Sequence, residues 1–85
     1  MFTMNIKGFK THYDTMQLAQ VEYCRLREVS QQGYHKFPTA ELIDNSTGKK
    51  YEISFNGRVW CNIASDDDRE MVAEAPKYEL YRQPA

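Results

Sequence analysis

The chain is poor in the residues that most often announce a function. Its 85 residues contain two cysteines, Cys24 and Cys61, far apart and with no C-x-x-C pair. That is too few for a disulfide framework; two free thiols in a reducing compartment is the reading, with a single structural disulfide as the alternative. Four glycines and three prolines leave no glycine-rich phosphate loop. Gly48-Lys49 lacks both the upstream glycine and the following Ser/Thr of a P-loop. No apolar run approaches the roughly 18 residues of a membrane span. The opening "MFTMNIKGFK" has no basic stretch followed by an apolar one, so it does not read as a signal peptide. The expectation is a soluble, cytoplasmic protein, in which the glycosylation pattern at Asn45-Ser46-Thr47 carries no meaning.

Charge of one sign is also missing. The net is −1, and no overall basic field invites nucleic acid. The distribution is uneven, however. Residues 1–38 hold five Lys/Arg against three Asp/Glu, and residues 39–85 hold six against nine. The acid gathers at 66–74.

What is plentiful is aromatic: six Tyr, four Phe and one Trp, 13% of the chain. Rings of that size go to a core or to a contact surface. With 41% apolar and 27% charged residues the composition is that of a folded domain, and 85 residues make one domain (1–85), not two.

Local patterns supply the elements. Phe2-Thr3-Met4-Asn5-Ile6 alternates and predicts a strand ending near Gly8. The segment 11–33 predicts a long amphipathic helix over about 12–31, with Thr11 as N-cap, Asp14 completing a capping box and Gly33 as the stop. Its apolar stripe is Met16, Ala19, Tyr23 and Leu26, flanked by Leu18 and Val29. From Phe37 the period falls to two. Ala40–Ile43 reads as a strand, 44–48 as a turn, 49–55 as a strand, Asn56-Gly57 as a type I′ hairpin turn and 58–63 as the returning strand.

That two-residue turn would pair Ile53 with Trp60 and push Val59, Cys61 and Ile63 to the opposite face. Either a bulge re-aims the strand or the sheet is apolar on both sides. Ser65 and Asp68 form a second capping box, which makes Asp66, Asp67 and Asp68 the first turn of a short helix. Met71, Val72 and Ala75 are its stripe and Pro76 its end. Tyr78–Tyr81 reads as a last strand. The sum is a two-layer α+β domain in the order β-α-β-β-β-α-β, one long helix on an antiparallel sheet. Its buried set is expected to include Ile6, Met16, Ala19, Tyr23, Leu26, Leu42, Ile53 and Phe55.

No enzyme signature is found. Asp66, Asp67 and Asp68 lack the alternation and the distal Glu of a calcium loop, and on a helix they diverge by about 100° per residue. Cys24, Cys61, His12 and His35 have no zinc-pair spacing. Neither cysteine sits at an evident helix start, where its thiol would be activated. His12, placed in the first turn of the helix, is disfavoured as a cation there. The chain is therefore read as non-enzymatic, with no metal and no cofactor.

Two binding readings remain. The first is a protein-binding module that occupies a basic surface of its partner, even a nucleic-acid-binding one, through Asp66, Asp67, Asp68, Arg69, Glu70 and Glu74, with Trp60 and Tyr78 as anchors. Small chains without catalytic motifs recur as inhibitors carried by phages and mobile elements, an association of size and type only. The alternative is a single-stranded RNA or DNA binder that stacks bases on Tyr51, Phe55 and Trp60 beside Lys49, Lys50 and Arg58. "KKYEISFNGRVW" lacks the glycine-aromatic pattern of an RNA-recognition stretch, however. Oligomeric state is left open.

Overall fold

The computed structural model describes residues 1–30, 36–61 and 68–82. Strand β1 (Phe2–Ile6) turns Phe2, Met4 and Ile6 towards the core. At Lys7-Gly8 both φ angles are positive, 50° and 90°. This is a type I′ turn whose twist suits a hairpin. The Asn5 side chain locks it by accepting the Gly8 N–H at 2.8 Å. The chain folds straight back as β2 (Phe9–Tyr13), with Ile6 opposite Phe9 and Phe2 opposite Tyr13.

The capping box expected at Thr11 and Asp14 is therefore not formed, and His12 is a strand residue rather than a helical one. The true N-cap is Thr15, whose Oγ1 accepts the Leu18 N–H at 3.2 Å. Helix α1 runs Met16–Ser30. Phe9, Thr11 and Tyr13 on one side and Lys10 and His12 on the other already alternate, and pairing with β1 satisfies more backbone groups than a frayed extra helical turn would.

Strands β3 (Ala40–Asp44), β4 (Lys50–Ile53) and β5 (Val59–Cys61) follow, and then β6 (Glu70–Ala73). All pair antiparallel in one sheet of order β2-β1-β3-β4-β5-β6. The segment expected to be the second helix is thus a strand over Glu70–Ala73. Tyr78–Leu80, expected to be a strand, is a short 3-10 helix. The two-layer α+β architecture, one helix on an antiparallel sheet, is as read. The element order is β-β-α-β-β-β-β.

The turn 44–48 forms as expected: Asp44 accepts the Ser46 N–H with its side chain and the Gly48 N–H with its carbonyl, at 2.9 and 2.7 Å. The next loop resolves the register problem. Gly57 donates to Ser54 O at 2.8 Å, Ser54 donates to Arg58 O at 2.9 Å, and Gly57 alone in the loop has positive φ, 92°. This is a three-residue loop, a type I turn closed by a glycine bulge, and not the two-residue type I′ turn. Ile53 consequently faces Val59, and Glu52 faces Trp60. Ile53, Val59 and Cys61 all enter the core, and Trp60 goes to the opposite face.

The core is Met4, Ala19, Tyr23, Cys24, Ala40, Leu42, Ile53 and Val59. Of the expected buried set, Ala19, Tyr23, Leu42 and Ile53 are fully buried, whereas Ile6, Met16, Leu26 and Phe55 are only partly so. The buried stripe of α1 is rotated towards Gln20 and Cys24. Gln20 Nε2 donates to Gly57 O and to Glu74 O, both at 2.9 Å, so one amide ties the helix to two connecting segments. Tyr23 reaches Pro38 O at 2.8 Å and meets Phe37 edge-on. Burial pushes its phenol up to about 12.

A candidate protein-binding surface

Trp60 sits on the sheet face away from α1, between Glu52 of β4 and Met71 of β6. A bulge at Val72 shifts the β5–β6 register, so Ala73 lies against Val59 in the core while Met71 lies against Trp60 outside. Without the extra residue, one of the two pairs would face the wrong side. The indole N–H donates to Ser54 Oγ at 3.1 Å, and Ser54 is itself held by Asn56 Oδ1 at 2.6 Å. Arg69 lies over the indole, its guanidinium carbon 5.1 Å from the ring centroid, and Nη2 meets Glu52 Oε1 at 2.8 Å. Arg69 Nε is buried with no hydrogen-bond acceptor among the described residues. Its position over the ring is a cation–π contact with a carboxylate behind it.

Around this stack the surface is mixed. Met71, opposite Trp60, is 44% exposed and Val72 at the bulge 45%. Asp68 and Glu70 are exposed along the same strand edge, Glu70 opposite Cys61 and so towards the other face. Glu74 is exposed too, but Arg58 Nε holds it at 2.7 Å. The Arg58 hydrogen bond, and then the Ala75 N–H, keep its carboxyl below the usual glutamate range.

Of the residues expected to bind a protein partner, the fold brings Trp60 and Arg69 together on one face. Glu70 opposes Cys61 and so belongs to the other face of the edge strand, and Asp68 and Glu74 lie near the two ends of β6. Asp66 and Asp67 lie outside the described residues, as do His35 and the expected cap Ser65. Tyr78 does not join them. It packs edge-on against Tyr81, centroids 5.3 Å apart, and the Tyr81 hydroxyl receives Arg27 Nη2 at 3.3 Å. Arg27 also lies 5.4 Å from the centroid of Phe55 and donates to the Phe55 carbonyl.

The alternative set is dispersed. Phe55 belongs to this Arg27 clamp in a loop, and Tyr51 packs against the core with Lys49 5.5 Å above its ring. Lys50 is exposed, and Arg58 is spent on Glu74. Tyr51, Phe55 and Trp60 do not share one face, which is what stacking successive bases requires.

Chemistry elsewhere is sparse. Thr3 Oγ1 is 2.9 Å from His12 Nδ1, a nucleophile–base distance. But Thr3 is buried and its oxygen already receives Asn45 Nδ2 at 2.9 Å. The trio fastens β1 to β2 and to the turn after β3. Cys24 and Cys61 are free and buried, and burial raises the Cys24 thiol, the opposite of activation. Among the described residues no group of three His, Cys, Asp or Glu is placed to hold a metal ion. No described helix is long and apolar enough to cross a membrane.

Sequence reasoning chose Trp60 and Arg69 by residue type and missed Glu52, Ser54 and Met71, whose parts depend on cross-strand register. Compared with protein-family models, curated proteins and solved structures, the chain matches none.

Proposed function

We propose that this chain is a non-enzymatic protein-binding module that works by occupying a basic surface of its partner, in the cytoplasm, where its two free thiols persist. The observation that carries the reading is the Trp60–Arg69–Glu52 stack beside exposed Met71 on the outermost strand. Trp and Arg are the residue types that anchor interfaces, and a side chain already held in one rotamer loses less entropy on binding. Asp68 and Glu70 put exposed carboxylates along the same edge of the sheet, Glu70 on the face opposite Trp60. Such charges raise the association rate with a basic partner at long range more than they raise affinity.

Pull-down from host lysate, with and without nuclease, tests this on the wild type, on Met71→Asp and on Asp68→Lys/Glu70→Lys. A nuclease-resistant partner that both variants lose, while their circular dichroism stays that of the wild type, is the expected result. Recovery of RNA or DNA alone, or indifference to both variants, would refute the reading.

A further inference from the structure

The opposite edge of the sheet carries its own information. A two-residue turn makes its closing pair, Ile6 and Phe9, a hydrogen-bonded one, and the alternation of an antiparallel ladder does the rest. Thr11 and Tyr13 bond inwards to β1. The N–H and C=O groups of Lys10 and His12 face an edge that no described strand covers. The strand has no proline and its register with β1 is uninterrupted. Phe9, at its start, is 82% exposed, the most exposed large apolar residue described. Beside Phe9 runs an apolar groove of about 470 Å³ whose walls include Thr11, Leu26 and Val29.

Above that edge lies α1, closer to β2 and β1 than to the other strands. The helix flank on the β2 side is Leu18, Glu22, Arg25 and Val29, spaced four, three and four. Glu22 and Arg25 pair with each other and act electrostatically on Tyr13, and Val29 lines the groove with Phe9. Leu18 and Val29 are about half exposed.

We infer that β2 is the interface of a two-fold homodimer, in which a second copy adds its own β2 antiparallel across an axis at Thr11. Faces are preserved only if residues of like parity oppose, and the available edge groups then select this register. Lys10 meets His12 of the second copy in two hydrogen-bonded pairs, giving four backbone bonds, and Phe9 meets its Tyr13. The same axis runs the two α1 helices antiparallel. Leu18 comes opposite Val29 of the second copy, and Glu22 comes opposite its Arg25. The flank is therefore complementary to itself in both apolarity and charge, the requirement of an isologous contact. An unrelated strand would use the backbone groups but would not match the helix flank or the groove.

The interface is separate from the Trp60 surface, and the test does not depend on that surface. Sedimentation equilibrium of the wild type should give about twice the 10.0 kDa chain mass at concentrations from roughly 10 to 500 μM. Arg25→Glu sets like charges opposite one another and should weaken association about tenfold. Glu22→Arg/Arg25→Glu should restore it. Lys10→Pro removes an outward donor without touching the ladder to β1, so it should give a folded monomer. Thr11→Cys stands at a non-hydrogen-bonded pair, where Cα atoms approach to about 4.5 Å, close enough for a disulfide. On oxidation it should form a covalent dimer while Ser46→Cys, exposed in the turn after β3 and off the two-fold axis, does not. A monomer over the whole range overturns the inference. So does a dimer indifferent to Lys10→Pro and to the charge swap, or cross-linking no greater at Thr11→Cys than at Ser46→Cys.

Discussion

The two edges of the sheet are built on opposite plans. β6 is four residues long, is bulged at Val72 and ends against the Arg58–Glu74 ion pair. Bulges and charges are the devices that keep an edge from pairing with another chain. β2 is five residues long and regular, and only Lys10 stands guard on it. A blunted edge offers side chains to a partner, and an unblunted one offers its main chain. This molecule has one of each, with four strands between them.

The shared core is where both can be broken together. Leu42→Ala empties a fully buried site between β1 and β4 and should cost about 2–5 kcal/mol. That is most of the stability of so small a domain, and denaturant unfolding should show both edges failing in a single transition.

Gly57→Ala separates them. The added Cβ would lie 2.6 Å from Cys24 Sγ and 3.3 Å from Pro76 Cδ, at a φ of 92°. Positive φ at a non-glycine residue costs roughly 1–3 kcal/mol before any clash. Hydrogen exchange should show protection lost in β5 and β6 first and retained longest in β1 and β2.

Gln20→Ala sharpens the same contrast more gently. It leaves the Gly57 and Glu74 carbonyls without their donor, at about 1–3 kcal/mol, and should loosen the β6 side alone.

The smallest effect at neutral pH belongs to Tyr23. Its phenol is held up to about 12 by burial, against about 10 in an unfolded chain. The folded state therefore keeps its proton over a range in which the unfolded state gives it up. This stabilisation is complete below pH 10 and is lost as pH rises from 10 towards 12. Tyr23→Phe should lower neutral stability by about 1 kcal/mol and flatten the alkaline limb of the stability curve.

Much of the fold was legible because local and tertiary preferences agree in it. The alternation of β1, the Met16–Tyr23 stripe and the Asp44–Gly48 turn each mean the same thing alone and in context. Where they disagree, the reading failed. Thr11 and Asp14 have capping-box spacing, but Thr11 has a strand partner in Met4, and the real cap is four residues on. At Glu70–Ala73 the Val72 bulge interrupts the period of two, so Met71, Val72 and Ala75 resemble a helical stripe. Leu26, assigned to the core, borders the groove because the helix is rotated towards Gln20. The residues of the Trp60 stack were legible as types, but their meeting was not: Glu52 and Trp60 are opposed only through a loop one residue longer than Asn-Gly implies.

The approach of Gly57 to Cys24 makes the thiol a clock. With no side chain on the glycine, the turn backbone rests directly on the sulfur, which is fully buried, so alkylating reagent reaches it only when the packing around it opens. When reclosing is faster than the reagent, the rate of modification of Cys24 equals the intrinsic thiolate rate multiplied by the fraction of time the contact is open. The molecule thus carries, without any added label, a gauge of the fraction of time its two layers stand apart at that corner.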